Sequence, residues 1–184
     1  MELKHYSVLL NESIEMLNIK PDGIYVDCTL GGGGHSLEIL KKLTTGHLYA
    51  FDQDKYAIEK ARLRLKDHLE KLTIINTNFA NILPALNDLG VEHVDGIIYD
   101  LGVSSFQFDI PDRGFSYRFD GPLDMRMNQD DSLSCYDVVN TYSESELRKI
   151  FYEYGEEKFA PSIAKNIVKS RALKPIETTF ELVD

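Results

Sequence analysis

Cysteine is scarce in this chain: 184 residues carry two, Cys28 and Cys135, far apart in unrelated contexts. A disulfide framework needs more, so both are expected as reduced thiols of a cytoplasmic protein. Long apolar runs are also missing. No stretch approaches the roughly 20 residues that span a bilayer. The first 17 residues lack the basic region and apolar run of a signal peptide, and no membrane partner is expected. Positive charge is in short supply, with 20 Lys and Arg against 30 Asp and Glu and a net charge of −10. Such a balance argues against wholesale electrostatic binding of nucleic acid. Repeats and low-complexity tracts are absent. No Cys or His cluster has metal-ligand spacing, so no catalytic metal is expected. What remains is 43% hydrophobic and 27% charged. That is a globular composition, long enough for one domain or one domain with an insertion.

The first hundred residues alternate strand-like and helix-like runs. Short apolar runs at 24–28, 47–52, 72–76 and 94–100 read as strands, three of them at or next to an acid: Asp27, Asp52 and Asp100. Between them, 36–43 and 56–72 read as helices, the latter with Ile58, Ala61, Leu65 and Leu69 on one face. A weaker helix spans 79–89, with Pro84 awkward in its middle. This alternation means βαβ units and a parallel sheet, in which ligands sit at the carboxyl ends of the strands. After Asp100 the rhythm stops. Residues 101–142 read as loop. A helix begins after Ser143, which forms a capping box with Glu146, and a second runs over 156–173 before Pro175. The fold class is therefore α/β, with residues 1–104 as half of a Rossmann-like sheet and 105–184 as an inserted helical subdomain.

Leu30-Gly31-Gly32-Gly33-Gly34-His35 follows a strand and opens a helix. Glycines there let the backbone turn tightly and approach a ligand closely. Asp52 lies 18 residues after Gly34, near the spacing at which a carboxylate accepts hydrogen bonds from a ribose diol. A dinucleotide fingerprint started at Gly31 would place its third glycine on Ser36, an imperfect match. Asp27 would repel a pyrophosphate but suits a ligand bearing an ammonium group. These features favour S-adenosylmethionine over a nicotinamide dinucleotide.

Six segments carry a specific resemblance. They are His5 to Leu10, DCTLGGGGHS (27–36), AFDQD (50–54), DGIIYDLGVSS (95–105), RGFSYRFDGPLDMRM (113–127) and YGEEKFAPSIAKNIV (154–168). In these the chain resembles the bacterial 16S ribosomal RNA (cytosine-N4) methyltransferases, departing from their pattern at Cys28, Gly32 and Phe106. The resemblance implies a Rossmann-like methyltransferase that uses S-adenosylmethionine and acts on 16S rRNA of the small ribosomal subunit. It implies a cofactor site made by Gly33, Gly34, His35, Asp52, Phe79, Asp100 and Gln107. The Gly33 and Gly34 amides are expected to face the methionine carboxylate, Asp52 the ribose and Phe79 the adenine, with Asp100 and Gln107 at the reacting end.

The exocyclic amine of cytosine is a poor nucleophile because its lone pair is delocalised into the ring. An acceptor holding the amine hydrogens frees that pair, and Asp100 is the catalytic candidate. The Pro-Pro-aromatic run of many amino-methyltransferases is missing after Asp100. An aromatic to stack the flipped base would come from Phe106, Phe108, Phe115, Tyr117 or Phe119. Arg148 to Lys174 carries seven basic residues against Glu153, Glu156 and Glu157, a net of +4, and reads either as a solvated face or as a local RNA-facing patch. Two rival readings stand beside the methyltransferase: a nicotinamide-dependent oxidoreductase and a non-catalytic RNA-binding assembly module. The chain is also expected to stop before the sheet is complete, leaving the fourth strand with an open edge that a homodimer contact could cover.

Overall fold

The computed structural model describes residues 7–184, so His5 and Tyr6 lie outside the described residues. The chain forms two bodies, Met1–Ser104 and Ser105–Asp184.

The first body is built on four parallel strands, β1 (Ile24–Asp27), β2 (His47–Asp52), β3 (Leu72–Asn76) and β4 (Gly96–Ile98), in the order β3-β2-β1-β4. Pairing registers Asp27 with Ala50 and with Ile98, and Asp52 with Asn76. Because side chains alternate across a strand, β1 divides its residues between two cores. Tyr25 packs with Leu48, Ala50, Ile39, Leu40, Ile58 and Leu65 on one face. Val26 and Cys28 join Phe51 and Leu86 on the other. Helices cover both faces. On the first lie α1 (Leu10–Met16), α2 (Gly34–Lys42) and α3 (Lys55–Arg64); on the second lies α4 (Ile82–Asp88).

Local chemistry explains the boundaries. Asp54 caps α3 by accepting from the Tyr56 N–H at 3.0 Å. The expected helix 56–72 does not run through. After Leu65 the chain tightens into a 3₁₀ stretch, Lys66–Lys71, which turns Leu69 out to 44% exposure while Ile58, Ala61 and Leu65 stay buried. Pro84 proves harmless. A 3₁₀ turn at Phe79–Asn81 precedes α4, so the proline falls in the first helical turn, where an N–H lacks an intrahelical partner anyway. Lys71 donates to the Leu40 and Leu43 carbonyls at 3.2 and 2.7 Å, capping the end of α2.

The second body is helical: α5 (Ser105–Asp109), α6 (Cys135–Thr141), α7 (Glu144–Glu153), α8 (Ala160–Arg171) and α9 (Thr179–Val183). Its core gathers Leu123, Val139, Leu147, Ala164, Ile167 and Ile176. The Ser143–Glu146 capping box is present. Helix α8 starts at Ala160 rather than 156, because Glu156 takes a left-handed conformation at φ 51°. Residues 101–142 are not all loop. They hold α5, a 3₁₀ turn at Pro111–Arg113, and α6 with its own capping box, Ser134 with Asp137. The aromatic-rich segment 113–127 is knitted by its arginines. Buried Arg113 donates to the Arg126 and Met127 carbonyls at 2.8 and 3.2 Å, and the Arg126 guanidinium pairs with Asp124. Among the described residues no helix is long and apolar enough to cross a membrane.

Candidate active site

Beyond the end of β1 the backbone divides its hydrogen bonds between two neighbours. Cys28 N–H donates to the Ile98 carbonyl and Leu30 N–H to the Phe51 carbonyl, both at 2.9 Å. The glycine turn therefore opens above the carboxyl ends of β2, β1 and β4. Gly31 and Gly33 have φ of 49° and 74°, a region costly for residues with a Cβ. A Cβ on Gly33 would press on Leu65 at 3.2 Å, and one on Gly34 would collide with the Ser7 hydroxyl.

The Gly33 amide does not face a ligand as expected. It donates to the Leu30 carbonyl at 2.7 Å and closes the turn, so Gly33 contributes backbone shape, while Gly34 opens α2. Asp52 stands at the end of β2. Its Oδ2 accepts the Gly31 N–H and its Oδ1 the Asp54 N–H, both at 2.8 Å. The Gln53 N–H is a further, weaker backbone donor to this carboxylate. Burial pushes the Asp52 carboxyl above the usual carboxylate range, with the Asp54 and Gly31 N–H groups pulling the other way.

Asp27 has a different duty. It is 1% exposed, and its oxygens accept the Ser36 hydroxyl at 2.6 Å and the Thr29 N–H at 3.0 Å. Burial drives its pKa up most, against the bonds from Ser36 and Thr29. It braces the turn against the first residues of α2.

Asp100 lies two residues past β4 and is exposed. Its N–H donates to Thr29 Oγ1 at 2.7 Å, and its Oδ2 stands 3.7 Å from His35 Nδ1. The His35 ring is buried, with Nε2 3.2 Å from the Val8 carbonyl. A carbonyl only accepts, so Nε2 carries hydrogen and Nδ1 can donate to Asp100 only from the imidazolium form. Phe79 packs beside Phe51 and Leu86 and meets the Tyr99 ring edge-on at 5.6 Å. The Tyr99 hydroxyl and the Cys28 thiol hydrogen-bond. Burial raises the thiol's pKa, and the bond to Cys28 raises that of Tyr99.

The first body thus brings together the glycine turn, His35, Asp52 and Asp100. Gln107 belongs to the second body, where it is buried on α5. The five aromatic candidates lie there too; Phe108, Tyr117 and Phe119 are exposed, Phe106 and Phe115 half-buried. Sequence reasoning passes over Thr29 and Ser36. A hydroxyl two residues beyond Asp27 and another at the helix start are the available signals.

Strand order 3-2-1-4 with a glycine turn after the central strand, and acids at or beyond the ends of its two neighbours, defines a Rossmann-like nucleotide-binding domain. The chain matches the MraW methylase family over residues 2–184, and it belongs to that family. A ribosomal RNA small subunit methyltransferase H of Clostridium botulinum (strain Kyoto / Type A2) is 60% identical over 185 residues, which cover 100% of this chain and 60% of that protein. Its counterpart in Clostridioides difficile (strain 630) is 58% identical over the same shares. The chain spans about 60% of the length of these curated relatives. The structure of an rRNA methylase from Streptococcus thermophilus aligns at a TM-score of 0.37 and 23% identity, over 45% of this chain and 49% of that one.

Proposed function

We propose that the protein transfers the methyl group of S-adenosylmethionine to the exocyclic N4 amine of a cytidine in 16S rRNA of the small ribosomal subunit. The observation that carries this reading is the exposed Asp100 carboxylate beside the glycine turn, with the Asp100 backbone anchored on Thr29 and His35 Nδ1 3.7 Å from its Oδ2. The residues present fit the cofactor. The turn is glycine at four consecutive positions, and Asp52, held by backbone N–H groups, puts its carboxylate at the end of β2 where a ribose diol would be bound.

When bound, the cofactor supplies an electrophilic methyl group on a sulfonium. This chain's own residues do the rest. Asp100 accepts an N4 hydrogen, which returns the amine lone pair toward nitrogen. Methyl transfer, with the S–CH₃ bonding pair leaving on sulfur, would make the nitrogen cationic, and Asp100 would take the proton it sheds. The Thr29 hydroxyl fixes the backbone of Asp100, and the His35 ring lies beside its carboxylate. Residues 1–104 are read as the cofactor half and 105–184 as the part that recognises substrate.

The test is to incubate the whole protein with small subunits and methyl-labelled S-adenosylmethionine, digest the rRNA, and identify the labelled nucleoside. N4-methylcytidine is expected. Label on any other nucleoside, or none, overturns the proposal.

A further inference from the structure

Of the seven cations between Arg148 and Lys174, three have partners inside the protein. Lys149 pairs with Glu153 at 3.9 Å, Lys174 with Glu181 at 2.6 Å, and Arg171 donates to the Val139 and Tyr142 carbonyls at the end of α6. Arg148, Lys158, Lys165 and Lys169 are exposed, and among the described residues no carboxylate lies within ion-pair distance of them. In a chain of net charge −10 these four stand close together in sequence.

Three large rings accompany them. Tyr152 is 68% exposed, Tyr154 80% and Phe159 72%. Single exposed aromatics are ordinary, but three within eight residues are not. They are not misplaced core residues, because α7 already buries Leu147 and packs Phe151 against the helical core. The turn that presents them is held firmly. Glu157 N–H donates to the Phe151 carbonyl at 3.0 Å, and the Glu157 carboxylate accepts the Phe159 N–H at 2.7 Å. Two of the three local acids, Glu153 and Glu157, are thereby engaged within the protein. Arg148 and Tyr152 are four residues apart on α7 and share a face.

We propose that Tyr152, Tyr154 and Phe159 form a platform on which unpaired bases of the substrate RNA stack, while Arg148, Lys158, Lys165 and Lys169 hold its phosphates. The proposal rests on the reading of RNA as substrate. Rings between exposed cations suit a single strand, since every base has a stacking face and the backbone needs neutralising. A duplex hides its bases and would use only the cations.

The experiment measures binding of the whole protein to a single-stranded RNA of about 12 nucleotides, and to a duplex of equal length, by fluorescence anisotropy at two salt concentrations. Y154A/F159A is expected to weaken single-strand binding roughly ten-fold per ring removed and to leave duplex binding and S-adenosylmethionine affinity unchanged. Y154F, which keeps the ring, should bind like the parent. K165E/K169E should flatten the salt dependence, by about 0.7 in log–log slope for each phosphate no longer neutralised. Unchanged single-strand affinity in Y154A/F159A, or an equal loss on the duplex, overturns the platform. So does a lowered melting temperature with RNA affinity intact, which would mean that protein covers these rings. A parent that binds and methylates small-subunit RNA while Y154A/F159A binds equally well sinks the platform alone. A parent that does neither sinks the function reading as well.

Discussion

Replacing Asp52 with asparagine separates the two duties of its carboxylate. Both oxygens accept backbone N–H groups, from Gly31 and Asp54, at 2.8 Å. Asparagine has one acceptor oxygen, so one of these N–H groups must face the new amide NH₂. An N–H left without a partner costs about 1–3 kcal/mol when buried. Asp52 is only half-buried, so water recovers part of this, and removing a charge that burial disfavours offsets some of the remainder. The net loss of stability should be about 1 kcal/mol. The ribose contact suffers more. Two hydrogen bonds to a charged acceptor are worth roughly 1–1.5 kcal/mol more apiece than bonds to a neutral one, so the total is about 2–3 kcal/mol. That predicts a Kd for S-adenosylmethionine raised roughly 30- to 150-fold. Calorimetric titration reads the affinity, and a urea melt on the same sample confirms the fold. A Kd within about two-fold of the parent, with the fold intact, would refute the assignment of Asp52 to the ribose.

Asp100→Ala should lower methyl transfer far more than RNA binding, because its carboxylate is exposed beside the glycine turn while its backbone N–H is already anchored on Thr29; parallel kcat and gel-shift measurements showing equal losses would make it a binding residue only. Arg171→Met should destabilise the helical body by about 2–4 kcal/mol, since two charge-assisted bonds to the last carbonyls of α6 disappear; a chemical melt within about 0.5 kcal/mol of the parent, the spread of neutral surface changes, would contradict it. Burial raises the pKa of Asp27 in the folded state. Its contribution to stability is therefore fully present below the unfolded value of about 3.9 and is lost as pH rises through the higher folded value. Asp27→Asn lacks that loss, so urea midpoints of variant and parent should diverge in the variant's favour from pH ~4 upward, and a constant difference across pH would show that Asp27 does not titrate there.

What is legible in the sequence is local. The glycine turn, the four β-type runs and the Ser143–Glu146 capping box each declare themselves within a few residues, and all are present. The fourth run reads as 94–100 but pairs only over Gly96–Ile98. Helix α6 escapes because its capping box ends in Asp137 rather than Glu or Gln and the helix has seven residues, too few for a visible period. Periodicity misplaces Leu69 because no propensity announces the tightening after Leu65. Arg171 reads as part of a solvated face or an RNA-facing patch because its true partners, two carbonyls about 30 residues away, are set by packing. Thr29 is invisible as a support for Asp100, since that contact exists only once β4 lies beside β1.

The two halves of the site differ in how much chain must be gathered to make them. The Gly31–Asp52 bond joins residues 21 apart, whereas the Thr29–Asp100 bond joins residues 71 apart. Closing the longer loop costs about 1 kcal/mol more in chain entropy. It is held by the three-residue β4, which pairs with β1, whereas β2 pairs with two neighbours. The Gly31–Asp52 half can therefore assemble early from nearby segments, and the Asp100 half arrives late. By the same reasoning, a partial opening of the sheet should release Asp100 first. A molecule caught in that state would keep the glycine turn and Asp52 together while Asp100 swings away from them.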